Sequence, residues 1–173
     1  MGMRRVVVAL LIVFAVGVGA TGTSAEKQPP PLRQQREASK ALVSATDEYL
    51  AVAPPVNQQD PASWVDFYDR ADVLLADVRG AYGEWVLVVD RALKSSAVRK
   101  SDKRLLRRYR SAEDAWIMAQ EEQARLSRSC VTGSPTLTDS GTCLNAMVAE
   151  HGTRWNQIAS KLNRLQRRVD AQL

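Results

Sequence analysis

The only two cysteines of this 173-residue chain, Cys130 and Cys143, stand between two long amphipathic patterns. Upstream, Leu105, Leu106, Tyr109, Ala112, Ala115, Trp116, Ala119 and Leu126 fall on one helix face and predict a helix to about Arg128. Downstream, Leu144, Met147, Val148, His151, Trp155, Ile158, Leu162, Leu165 and Val169 keep the same three-and-four spacing. Between them, Cys130–Thr142 holds Gly133, Pro135 and Gly141 and has no period, so it reads as a loop, with Thr142 as cap of the last helix. If the cysteines pair, the result is a helical hairpin stapled at its turn; a bridge between two chains is the alternative. The local bridge closes a loop of about 14 residues, a closure valued at roughly 3 kcal/mol in the loop-entropy model.

Oxidation of the pair depends on compartment, and the first residues bear on that. Arg4 and Arg5 precede an apolar run, Val6–Val18, and small residues Thr23-Ser24-Ala25 follow. This is the order of a secretory signal, so 1–25 is expected to be a cleaved signal peptide and the protein secreted or periplasmic. An uncleaved membrane anchor is the alternative, but the run is short of the roughly 20 residues a spanning helix needs. Export makes a structural disulfide the default state of the two cysteines. There is no CxxC pair, and two cysteines with one histidine do not make a tetrahedral zinc site. No metal or cofactor is expected.

The remaining chain divides at its prolines. Residues 26–37, with Pro29-Pro30-Pro31, read as an extended Pro-rich leader, and 38–173 as a single helical domain. Ala38, Ala41, Leu42, Ala45, Tyr49 and Val52 predict a first helix, ended by Pro54-Pro55. Asp60-Pro61 restarts the chain, Asp suiting an N-cap and Pro the first helical position. A wide stripe from Trp64 to Leu93 predicts the second helix. Gly80 and Gly83 inside it suggest a bend or a close helix approach. The expected fold is all-α, a small bundle of about four helices with a disulfide-stapled C-terminal hairpin.

Chemistry is sparse. His151 is the only histidine, on the apolar side of its helix beside Glu150, and reads as a packing residue. No phosphate loop, HExxH or nucleophile elbow is present, so no catalytic residue is assigned and the chain reads as a non-enzyme with no evident small-molecule substrate. Trp64, Trp85, Trp116 and Trp155 lie on apolar stripes and read as core. Charge offers more. Arg99, Lys100, Lys103, Arg104, Arg107, Arg108 and Arg110 form one basic run; Arg154, Lys161, Arg164, Arg167 and Arg168 form another. The two readings are an anion-binding face, directed at an envelope polymer or membrane surface, and a run that is solvated or neutralised by the acids of the second helix. After removal of 1–25 the chain carries 22 basic and 19 acidic residues. That net of +3 is too small to imply nucleic-acid binding.

The segment Arg104–Gln120, with Leu105, Leu106, Ala112, Ala115, Trp116 and Ile117, resembles a helix of the LprI-like lysozyme inhibitors. Cys143-Leu144 and the helix after it resemble that family's closing Cys-Leu segment, so the likeness spans about Arg104–Leu165. The family's Tyr-Arg-Asp element after the tryptophan is replaced here by Met118-Ala119-Gln120-Glu121. The resemblance implies a small envelope protein that binds lysozyme, or another protein, and occludes its cleft. Thr132, Ser134, Thr136, Thr138 and Asp139, on the stapled turn, are then the candidate contact residues.

Overall fold

Four helices make up a bundle in the computed structural model, which describes residues 29–57, 60–134 and 136–173. They are α1 (Pro30–Leu50), α2 (Pro61–Lys94), α3 (Lys100–Thr132) and α4 (Leu137–Gln172). Each packs on the next through a short connection, which gives up-and-down topology. No strand occurs among the described residues. The expected signal segment lies outside them. One core runs the length of the bundle, with Val78, Trp85, Val89 and Leu106 fully buried. A second cluster, Ala119, Cys130, Leu144, Met147 and Trp155, sits under the disulfide. At the same end Trp64, Phe67 and Tyr68 pack edge and face around Val131, with ring centroids 5.1–6.4 Å apart. All four tryptophans are buried, as their stripes predict.

The leader expected over 26–37 is helical from Pro30 onward, and α1 begins about two turns before Ala38. Pro29 is extended while Pro30 and Pro31 fill the first turn, where a missing N–H breaks no helical hydrogen bond. The prolines start this helix instead of delaying it. Its buried face is also rotated from the expected stripe: Leu32, Gln35, Ser39, Leu42 and Thr46 point inward, while Ala41 is exposed.

α2 starts where the sequence places it, Asp60 accepting from the Ala62 N–H at 3.0 Å. It continues through Gly80 and Gly83 without a break. A Cβ at either glycine would meet nothing within 4 Å, so neither marks a helix–helix approach.

The expected loop over Cys130–Thr142 is mostly helix. α3 runs through Cys130 to Thr132, and α4 starts at Leu137, capped by Thr136 and not by Thr142. Thr136 Oγ1 accepts from the Asp139 N–H at 3.2 Å, which caps the helix, and donates to the Asp139 carboxylate at 2.7 Å. Hydroxyls that suggest a loop bond back along their own helices: Thr132 to the Arg128 carbonyl, Ser140 to Thr136 and Thr142 to Thr138. Gly133 ends α3 in close quarters, since a Cβ there would lie 2.8 Å from the Ser129 carbonyl oxygen. The Cys130–Cys143 disulfide, Cα atoms 5.5 Å apart, therefore joins helix to helix across a four-residue connection, 133–136.

Candidate functional site

Up-and-down topology sorts the charged residues by height. Trp116 marks mid-bundle, where it shares a cavity wall with Leu42 and Thr46 of α1 and Leu162 of α4. Tyr82 of α2 reaches Asp114 from beside it. On one side of that level lie 30–45, 83–115 and 160–173, holding 16 Lys and Arg against seven Asp and Glu. On the other, stapled side lie 46–82 and 116–159, with five Lys and Arg against 11 Asp and Glu. A modest net charge thus conceals a bundle with a basic end and an acidic end.

Pairing sharpens the separation. At the stapled end Arg128 bridges Asp69 and Asp72, each at 2.6 Å, Arg79 pairs with Glu121, and Arg154 with Glu122. At the basic end Arg110 pairs with Asp90, and Arg99 with Asp102 at 2.8 Å. Arg104, Arg107, Arg108 and Lys100 are exposed, Lys103 is half-buried, and none of the five has an acidic partner among the described residues. Lys161, Arg164, Arg167 and Arg168 on α4 are equally unpaired. Antiparallel packing of α3 and α4, fixed at this height by Tyr109 and Gln166, brings the two basic runs to one end. Neutralisation by α2 therefore holds for Arg110 and Arg128, and stops there.

The turn residues are placed differently. Thr132, Thr136 and Asp139 are occupied by the cap and back-bonds described above, and Ser134 is half-buried in the connection. They do not form a projecting loop. His151 is half-buried and stacks on Trp155, ring centroids 5.4 Å apart, with Glu150 at 3.7 Å. The described residues contain no group of three or more His, Cys, Asp or Glu able to hold a metal, and no helix long and apolar enough to cross a membrane.

A polar cluster in the core had no counterpart in the sequence reading. Glu113 is buried beside Tyr109, and burial pushes its carboxyl up to about 7, against a smaller opposing effect from the Tyr109 hydroxyl. The same burial drives the Tyr109 phenol well above its ordinary range, with Glu113 adding to it. A polar residue on an otherwise apolar stripe is the available signal, but Glu113 sits at the stripe's edge, where exposure is the ordinary outcome.

Comparison with known proteins finds no matching family model, no similar curated protein and no similar solved structure.

Proposed function

We propose that this is a non-enzymatic binding protein of the cell envelope that holds an anionic polymer at the basic end of its bundle. The observation that carries the reading is the set of nine Lys and Arg on α3 and α4 that share one end without acidic partners among the described residues. Like charges so gathered repel one another in the free protein, and an anionic chain laid across them relieves that repulsion. Attraction of this kind suits a repeating polyanion more than one small ligand, because most of the cations lie exposed along two helices. The envelope location rests on the signal-like segment 1–25. Retention on dextran sulfate, with neutral dextran as control, tests the reading. The wild type is retained only by the sulfated polymer, and the triple variant Arg104→Gln, Arg107→Gln, Arg108→Gln elutes early. Equal behaviour of both proteins on both resins would overturn it.

Lysozyme inhibition stands as a second reading, supported by the acidic stapled end. Many lysozymes of animal type are cationic, and an end with 11 acids against five bases would draw them in. Docking then uses acids of α2 such as Asp66 and Asp77, not the hydroxyls of the turn. A cell-lysis assay with the disulfide-bonded protein in large molar excess decides: unaffected lysis sinks this reading and leaves the first intact.

A further inference from the structure

α1 is attached to the bundle by an uncommon face. Three of its five buried residues, Gln35, Ser39 and Thr46, are polar, and only Leu32 and Leu42 are apolar. What they meet is also polar. Tyr109 and Glu113 of α3 and Gln166 of α4 are all buried, and the Tyr109 hydroxyl donates to Gln166 Oε1. Gln166 Nε2 passes the chain on to Asp170 at 3.0 Å, and Ser39 of α1 lies within hydrogen-bonding reach of the same phenol. Glu113 lines a cavity of about 20 Å³ together with Thr46 and Asp47 of α1 and Gln166. That volume admits about one water.

Charges around the cluster do not balance an ionised Glu113. α1 presents Asp47 to the cavity, α4 presents Asp170, and the Arg36 guanidinium of α1 acts on Asp170. α2 closes the side with the Trp85 ring, whose centroid is 5.3 Å from that of Tyr109. No Lys or Arg among the described residues pairs with Glu113. The Tyr109 hydroxyl lies within hydrogen-bonding reach of Glu113 as well as of Gln166, and its one proton only partly offsets the burial that favours a neutral Glu113.

We propose that α1 is a pH-gated clasp: neutral Glu113 completes the polar network beneath it, whereas ionised Glu113, buried with no cation beside it, loosens α1 from the rest of the bundle. Burial sets the working range. With its carboxyl pushed up to about 7 in the docked state and near 4.5 once exposed, Glu113 favours docking fully below about pH 4.5. Docking weakens as pH rises towards 7 and changes little above it. Over that interval the open fraction of α1 rises by up to about a hundredfold. α1 is the element placed to move, because it is the shortest helix and three of its five buried side chains are polar, with Leu32 and Leu42 and the partly buried Ala38, Ala45 and Tyr49 opposing its release.

Amide hydrogen exchange of the intact disulfide-bonded protein between pH 5 and pH 8, corrected for intrinsic rates, tests this. Expected is a loss of protection over Pro30–Leu50 of tenfold or more, with the amides around Leu144–Trp155 holding theirs. Glu113→Gln makes the α1 protection independent of pH. Should that variant fail to fold, Glu113→Met serves instead, since it also removes the titrating carboxyl at similar side-chain volume. Constant α1 protection in the wild type overturns the proposal, as does an unchanged pH dependence in the foldable variants.

Discussion

Arg128 holds Asp69 across the α2–α3 interface at 2.6 Å, with Asp72 at the same distance on its other nitrogen. Further up α3, Arg104 has no acidic partner among the described residues. The contrast within one helix shows how the bundle handles charge: Arg128, Arg79 and Arg154 of the stapled end meet acids of a neighbouring helix, while the basic end is left mostly uncompensated. Exposed pairs such as Arg128–Asp69 add little stability, with a usual ceiling of about 1 kcal/mol. Their larger effect is on where net charge remains.

The disulfide is a major contributor to stability. Replacing Cys130 and Cys143 together by Ser lowers the unfolding free energy by about 3 kcal/mol in urea titration. A loss below about 1 kcal/mol would mean that helix packing alone holds the hairpin. Non-reducing mass measurement should return a monomer lacking two hydrogens.

Gly80 and Gly83 are exposed, in mid-helix, with open space where a Cβ would go. Gly80→Ala and Gly83→Ala therefore each raise stability, by about 0.5–1 kcal/mol. Gly133→Ala does the reverse, because its Cβ meets the Ser129 carbonyl oxygen. Thermal melts of the three variants separate the two outcomes by sign.

Thr136 is a helix cap. Thr136→Ala costs about 1 kcal/mol and leaves retention on a polyanion unchanged. Loss of binding without loss of stability would return the turn to consideration as a contact surface.

Glu113 makes stability depend on pH in a direction unusual for an acid. Its folded pKa of about 7 lies above the unfolded value, so its contribution is complete below about pH 4.5 and falls as pH rises to 7. Glu113→Gln removes this slope, and at pH 8 the variant is more stable than the wild type by roughly 2–3 kcal/mol. Urea midpoints at pH 5 and pH 8 measure both proteins.

The hairpin and the four helices were legible because apolar spacing is a local signal. Trp116, Trp155 and the Asp60-Pro61 start lie where that signal puts them. Boundaries failed where a residue has two uses. Pro30 opens a helix as readily as it extends a chain, and Thr136, Ser140 and Thr142 bond to helical carbonyls as readily as they populate loops. The two basic runs were visible, but their meeting at one end needs the antiparallel pairing of α3 and α4. Glu113 and Gln166 could not be read at all, since burial of a polar residue at a stripe's edge is decided by the neighbouring helix.

Binding of a polyanion by the unpaired cations of the basic end acts through screened charge attraction, so its salt dependence is the decisive measurement. Affinity for dextran sulfate should be measured from low salt through the physiological range for the wild type and for the Arg104→Gln, Arg107→Gln, Arg108→Gln variant. The wild type is predicted to lose affinity steeply as salt rises, and the variant to bind more weakly with a shallower slope. A salt-independent affinity, or identical slopes for the two proteins, would rule out binding through these cations.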